Sequence, residues 1–151
     1  MTDINFDLLG AKKSSGQTDP KKLFITLKRA SRFTQPTAEQ GDVLDQWYSR
    51  RAAKDLTIKM NTGAGKTLVG LLALQSSLNE GSKPAVYVCP DNYLAQQVRS
   101  EAEQLGINTA DSDDDAKFIR GEAILVATVH KLFTDVRGSG STKYGRGLAA
   151  L

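Results

Sequence analysis

Runs of consecutive apolar residues predict three buried strands along this chain and a weaker fourth. The clearest run is residues 122–128, EAILVAT, and residues 85–90, AVYVCP, have the same character. Residues 56–60 form a third apolar run, which enters a glycine-bearing turn, and residues 107–110, INTA, are the weak candidate. Short apolar runs bounded by turn residues are typical of strands that are covered on both faces.

Between these runs, apolar residues recur at the spacing of helices. Asp19, followed by a proline, predicts the start of a short helix, and a second helix is predicted to begin at Thr37. A third is predicted over residues 66–79, and Asp91 is predicted to cap a fourth. The fourth helix carries one apolar stripe, predicted to face the core: Leu94, Ala95, Val98, Ala102 and Leu105. Alternation of strands and helices predicts an α/β fold with a parallel sheet flanked by helices.

Composition divides the chain of 151 residues into three parts. Residues 1–18 are polar and interrupted by Gly and Ser, which predicts a flexible arm. Residues 19–136 hold the predicted elements and have the length of one domain. Residues 137–151 are rich in Gly and Ser and show no helix or strand pattern, which predicts a flexible tail.

The charge and cysteine content leave several classes of protein open and disfavour others. A net charge of +3 permits a polyanionic partner, although charge alone favours a solvated surface as the explanation of so small an excess. Cys89 is the single cysteine, so no intramolecular disulfide can form, and its apolar surroundings predict a small buried side chain. Neither a signal-peptide pattern nor a membrane-spanning apolar run is present, which predicts a cytoplasmic protein without a membrane partner.

The segment TIKMNTGAGKTLVGLLAL has the order of a phosphate-binding loop. An apolar run leads into Thr62–Thr67, and an apolar helix pattern follows. Gly63 and Gly65 can adopt positive φ, so that backbone N–H groups close around phosphate oxygens at a helix N-terminus. Lys66 would place a positive charge on the β- and γ-phosphates, and the Thr67 hydroxyl can bind Mg²⁺.

Four segments in order resemble motifs of superfamily 2 helicases and translocases, of the DEAD/DEAH-box and restriction-enzyme-like kind. MNTGAGKT, residues 60–67, resembles motif I, in which T-G-x-G-K-T stands in place of a longer glycine loop. Residues 90–97, PDNYLAQQ, are similar to motif Ia, P-T-R-E-L-A-x-Q, with aspartate and asparagine in place of the Thr and Arg. Residues 126–132, VATVHKL, resemble the V-A-T-P-G-R-L element. Residues 36–40, PTAEQ, resemble the Q motif.

This resemblance implies a P-loop NTPase of the RecA-like class with ATP and Mg²⁺ as cofactors and nucleic acid as partner, DNA being favoured over RNA. It implies that the nucleotide is bound by seven residues, Gln40, Thr62, Gly63, Ala64, Gly65, Lys66 and Thr67. Lys66 and Thr67 would be catalytic, and Thr67 would be the Mg²⁺ ligand. It implies that the backbone of the nucleic acid contacts Pro90, Gln97, Thr128 and Lys131. Gln40, which the Q motif would place on the adenine, also fits a capping box with Thr37, and the two roles can coexist.

Hydrolysis in this family uses an apolar strand that ends in Asp-Glu, which holds the metal and activates water. No acidic residue follows Asp135, and Asp113–Asp115 precede the V-A-T element and follow a polar stretch, which predicts a solvated loop or helix start. The sheet is therefore predicted to be incomplete at its C-terminal end, as in the front portion of a helicase. The alternatives are a non-catalytic module that binds nucleotide or nucleic acid, and half of a split ATPase that a second polypeptide completes. A small P-loop kinase or GTPase would need a fuller glycine loop.

Overall fold

A computed structural model describes residues 16–28, 34–82 and 84–133. Its sheet has three parallel strands, β1 (Val86–Cys89), β2 (Thr109–Ala110) and β3 (Ile124–Thr128), in the order β1-β3-β2. Val86 pairs with Leu125 and Cys89 with Thr128, so β1 and β3 end at the same edge of the sheet. The predicted α/β class with a parallel sheet flanked by helices is confirmed, and this sheet is consistent with part of a RecA-like domain.

Polar side chains start the helices at the residues that the sequence predicts. The helices are α1 (Pro20–Thr26), α2 (Ala38–Arg50), α3 (Lys66–Asn79), α4 (Asn92–Leu105), α5 (Ala116–Ile119) and α6 (Val129–Phe133). Asp19, Asp91 and Asp115 each accept hydrogen bonds from backbone N–H groups of the first turn that follows, because those groups have no partner within the helix. The acidic run thus ends in a helix start, as predicted. None of these helices has the length and hydropathy to cross a bilayer.

The strand β3 lies at the centre of the molecule and is covered on both faces. Ile124 and Val126 pack into the larger apolar cluster, which α1–α4 supply, whereas Leu125 and Ala127 pack into a smaller cluster with Leu132 of α6. These side chains are at most 1% exposed. Burial of alternate side chains on opposite faces explains the uninterrupted apolar sequence of this strand, because a parallel sheet carries helices on both sides.

The end of the predicted N-terminal arm is held against α3. The buried Ser76 hydroxyl donates to the Thr18 carbonyl, and Asn79 Nδ2 donates to the Gln17 carbonyl over 2.8 Å. The Thr18 hydroxyl is also 3.0 Å from the hydroxyl of Tyr48 on α2. Residues 17 and 18 of the predicted arm thus make contacts with α2 and α3, while residues 1–15 and the predicted tail at 137–151 lie outside the described residues.

The prediction of a strand at residues 56–60 is wrong. This segment has no strand pairing within the described residues, and the side chains of Leu56 and Ile58 are 38% and 42% exposed. An apolar run becomes a strand only when a neighbour completes its hydrogen bonds, and β1 pairs in the described residues with β3 alone. The prediction that Leu94 faces the core is also wrong. Leu94 is 38% exposed, whereas the other four residues of its predicted stripe are buried.

One edge of β1 has no strand partner among the described residues, and this edge predicts self-association. Val88 on this edge is 42% exposed, and an unprotected parallel strand is a template for pairing with another chain. We expect the isolated chain to aggregate on heating, with a midpoint below about 55 °C. Val88→Lys should raise the concentration at which light scattering begins, because a charge on an edge strand opposes pairing.

Ile25→Lys is the matched control, since Ile25 is 70% exposed on α1 and lies away from the sheet edge. Equal protection by both lysines would show that added charge, and not the β1 edge, governs aggregation. A cooperative melt of the unmodified chain above about 55 °C would contradict the expectation of marginal stability.

Candidate phosphate-binding site

The turn before α3 has the backbone geometry that a phosphate loop requires. Gly63 and Gly65 have φ values of 82° and 76°, in the left-handed region, which side chains other than glycine rarely adopt. Gly65 is the N-cap of α3 and supplies no side-chain oxygen to the first N–H groups of the helix. These N–H groups therefore stay available at the positive end of the helix dipole, where an anion is stabilised.

Gln40 connects the start of α2 to this loop. Its Oε1 accepts from the Thr37 N–H over 2.9 Å, and the Thr37 hydroxyl accepts from the Gln40 N–H over 3.2 Å. The predicted capping box is thus confirmed. Gln40 Nε2 donates to the Ala64 carbonyl over 2.9 Å, and the side chain is buried. One N–H and one lone pair of the carboxamide remain for another partner, because the group has two donor hydrogens and two acceptor lone pairs.

Lys66 and Thr67 occupy different surroundings at the start of α3. Lys66 is exposed and forms no ion pair with a carboxylate of the described ranges. Thr67 is half-buried, one turn before Gly70, against which the ring of Tyr87 on β1 packs. No group of three or more His, Cys, Asp or Glu side chains in the described part of the chain could hold a metal ion. The Thr67 hydroxyl could serve as one oxygen ligand of a metal held mainly by phosphates and water, whereas the backbone N–H groups of the loop suit phosphate oxygens.

Three of the four predicted nucleic-acid residues lie at the carboxyl edge of the sheet. Pro90 follows β1, Thr128 ends β3 beside Cys89, and the Lys131 N–H donates to the Thr128 hydroxyl over 3.2 Å. Pro90 and Lys131 are exposed. Gln97 lies elsewhere, because it lines a cleft of about 380 Å³ between α3 and α4 together with Thr67. The structure therefore groups Pro90, Thr128 and Lys131 and places Gln97 on the side of the phosphate loop.

Arg99 is a residue of this edge that the sequence reading missed. Its Nη2 donates to the Val126 carbonyl over 2.7 Å, and its Nε lies 2.6 Å from Asp111 Oδ1. The second contact is an ion pair without a directed hydrogen bond, because no acceptor lies along the Nε–H direction. The Lys131 ammonium also donates to the Asp111 carbonyl. Arg99 thus ties α4 to β3 and to the acidic loop, and only its position four residues after buried Ala95 hints at this role.

The two loop glycines predict different costs of substitution. A Cβ on Gly65 would lie 2.2 Å from Gln40 Nε2, whereas a Cβ on Gly63 would meet nothing within 4 Å. Gly63→Ala should cost about 1–2 kcal/mol for the left-handed backbone alone, and Gly65→Ala should cost more because it also displaces Gln40. Urea unfolding of each variant measures the difference.

Gln40→Ala in the Gly65→Ala background is the control for this contact. Gln40→Ala should recover part of the unfolding free energy that Gly65→Ala loses. Combined with Gly63→Ala, it should recover none. Equal free energies of unfolding for the two single alanine variants would contradict the close packing of Gln40 on the loop.

Comparison with known proteins agrees with these features. The family model of the DEAD/DEAH box helicase matches residues 37–146. The chain is 29% identical over 100 residues to the ATP-dependent DNA helicase Hel308 of Methanocella arvoryzae, an alignment that covers 58% of this chain and 13% of that helicase. No solved structure matches the chain significantly. The family match includes the capping box, the glycine loop, α4 and the end of β3, and the chain therefore belongs to the DEAD/DEAH box helicase family as a helicase ATP-binding module.

Proposed function

We propose that this chain binds ATP with Mg²⁺ at residues 62–67, as the nucleotide-binding part of a superfamily 2 helicase or translocase. The observation that carries the proposal is the loop itself, in which two left-handed glycines lead into a helix that no side chain caps. This arrangement leaves backbone donors for phosphate oxygens, and the exposed Lys66 follows directly. Membership of an ATP-dependent family supports ATP as the anion.

Each residue of the loop has a separate task in this proposal. The N–H groups of Gly63 and Gly65 and those of the first helical turn bind phosphate oxygens, with Thr62 at the mouth of the loop. The Ala64 N–H donates to the Asn61 carbonyl over 3.2 Å and would exchange this partner for a phosphate oxygen when the nucleotide binds. Lys66 neutralises charge on the β- and γ-phosphates, and the Thr67 hydroxyl is a ligand of Mg²⁺. The bound metal would neutralise charge on the phosphates.

Gln40 has two tasks in the proposed site. Its bond to the Ala64 carbonyl fixes the loop relative to α2, which supports a structural task independent of the base. The N–H and lone pair that these contacts leave are complementary to the amino group and ring nitrogen at one edge of adenine. The capping role and the adenine role therefore coexist in one carboxamide.

Nucleic acid is the proposed partner of the carboxyl edge. Pro90, Thr128 and Lys131 present a surface with a hydroxyl and an ammonium group, and the proposed contacts are to phosphates and sugars, which carry no base sequence. The printed name of the relative, an ATP-dependent DNA helicase, favours DNA over RNA. Gln97 belongs to the proposed contacts only if the bound nucleic-acid strand extends to the cleft beside Thr67.

A second candidate is a module that binds nucleotide without turning it over, or half of a split ATPase. The edge of β1 that no other strand in the described ranges pairs with, and on which Val88 is exposed, favours this candidate, because another strand can add there. ATP binding without release of phosphate would support the binding module. Phosphate release that begins when a second polypeptide is added would support the split enzyme.

The Lys66→Ala variant tests the proposed nucleotide site. It should abolish measurable binding of MgATP, because the γ-phosphate loses its compensating charge. Binding is measured by titration calorimetry, and Lys117→Ala is the control, since Lys117 is an exposed lysine on α5. Unchanged ATP affinity in Lys66→Ala would exclude the loop as the phosphate site.

The Lys131→Ala variant tests the proposed nucleic-acid edge. It should weaken binding of a single-stranded oligonucleotide at every sequence and reduce the slope of log K against log salt by about 0.7, the contribution of one phosphate contact. Lys117→Ala, which removes the same charge from α5, should leave the slope unchanged. Equal slopes for the two variants would place the oligonucleotide elsewhere on the protein.

A further inference from the structure

Asp111, which directly follows β2, contacts two cations at the carboxyl edge of the sheet. Its Oδ1 lies 2.6 Å from Arg99 Nε, and its carbonyl oxygen accepts from the Lys131 ammonium. Arg99 also donates from Nη2 to the Val126 carbonyl over 2.7 Å, two residues before β3 ends at Thr128. One acidic residue therefore holds a guanidinium group and an ammonium group beside the end of β3.

The ion pair between Asp111 and Arg99 is one that another anion can replace. The Asp111 side chain is 79% exposed, and an ion pair that is open to solvent contributes little to stability. Arg99 Nε is shielded from solvent but has no hydrogen-bond acceptor in the described part of the chain, so the carboxylate compensates charge without a directed bond. A guanidinium group binds phosphate through the same planar N–H donors that bind a carboxylate. A phosphate could thus take the place of the Asp111 carboxylate.

The surroundings of Arg99 also have room for a ligand. Arg99 lines a cleft of about 580 Å³ between α4 and the residues that lead into β2. A second cation, a carboxylate and three uncharged polar side chains share this lining: Lys28, Glu103, Gln96, Ser100 and Asn108. The volume is in the range of small-molecule pockets, which leaves space for a nucleotide unit beside the guanidinium group.

We infer that Arg99 is a phosphate-binding residue of the nucleic-acid edge and that the Asp111 carboxylate is its competitor within the chain. In the free chain the carboxylate occupies the guanidinium group, and a bound strand replaces it with a phosphate while Lys131 contacts the same strand. The inference rests on the proposed binding of nucleic acid at this edge. It adds an autoinhibitory contact, because the strand binds at the expense of an existing ion pair. Arg99 lies outside the four segments that resemble helicase motifs.

The Asp111→Asn variant separates the competitor from the other contact of the same residue. It removes the negative charge beside Arg99 and retains the carbonyl that accepts from Lys131. Asp114→Asn is the matched control, because Asp114 is an exposed aspartate of the same segment whose carboxylate contacts Ser112. Asp114 forms no ion pair with a cation of the described ranges. Its substitution therefore reports the effect of removing a charge alone.

The experiment measures the dissociation constant of the full chain for a labelled single-stranded DNA oligonucleotide by fluorescence anisotropy. The salt concentration is about 0.15 M, at which long-range charge effects are largely screened. Asp111→Asn should lower the constant about two- to five-fold more than Asp114→Asn does, the factor that corresponds to one exposed ion pair. Equal constants for the two variants would overturn the proposed competition.

A double substitution assigns the effect to Arg99. Arg99→Gln should itself weaken binding, and in this background Asp111→Asn should no longer exceed Asp114→Asn, because the ion pair is absent. An undiminished excess would show that the Asp111 carboxylate acts on a group other than Arg99. A thermal melt of each variant shows whether it remains folded.

Chemical modification tests the contact without substituting Arg99, and so it decides the assignment even if Arg99→Gln does not fold. Phenylglyoxal modifies accessible guanidinium groups, and mass spectrometry of the peptides gives the extent at each arginine. In the Asp111→Asn chain, a saturating oligonucleotide should protect Arg99 and leave Arg50, which is exposed on α2, reactive. Modification of Arg99 at the same rate with and without the oligonucleotide would overturn its role.

The outcomes separate the inference from the proposal beneath it. If the unmodified chain and both asparagine variants fail to bind the oligonucleotide, the nucleic-acid edge is wrong and the role of Asp111 falls with it. If the chain binds and Lys131→Ala weakens binding, while the two asparagine variants have equal constants, the edge stands and the competition is wrong.

Discussion

The burial of β3 on both faces is the constraint on which the rest of the structure depends. Four consecutive residues, Ile124–Ala127, are almost inaccessible to solvent, and each face requires its own cover. The larger cluster meets this need with four helices, and the smaller with α6 and the residues beside β2. Because β1 is registered on β3, the carboxyl ends of both strands, and with them Pro90 and Thr128, lie at one edge. The candidate nucleic-acid surface is thus a consequence of core packing.

Side chains outside the candidate phosphate loop contact the loop and the helix that follows it. Gln40 donates to the Ala64 carbonyl from α2, and Tyr87 of β1 packs against Gly70 in the first turns of α3. The space beside Gly63 is open, whereas Gln40 Nε2 occupies the space that a side chain at Gly65 would need. The carboxamide of Gln40 thus organises one side of the loop and leaves the other side accessible. A loop that is organised before its anion binds loses less conformational entropy on binding.

Local signals in the sequence were sufficient for most elements and for the loop. The third helix was predicted at residues 66–79 and is Lys66–Asn79, and the aspartates expected at helix starts are N-caps. The capping box and the two-residue strand at Thr109 also followed from local patterns. Such elements can be predicted from the sequence because capping and turn chemistry depend on residues only three or four positions apart.

What the sequence could not supply were contacts between distant segments. Residues 56–60 have the composition of a strand, yet strand formation depends on a partner that composition does not identify. Leu94 follows the helical spacing but lies at the border of the stripe, where exposure depends on which neighbour packs there. Tyr87 and Arg99 acquire their partners only when β1 and α4 come together with α3 and β3. These roles required the fold.

The link between Gln40 and Ala64 also bears on how the molecule can be observed. Trp47, the single tryptophan of the chain, lies on the same helix as Gln40 and lines a groove with Leu56 and Ile58, which lead into the loop. A rearrangement of the loop would displace α2 through the contact between Gln40 and Ala64, and it would displace the groove through Leu56 and Ile58. We therefore expect the emission of the indole to change when the loop rearranges, which allows the loop to be followed without an attached label.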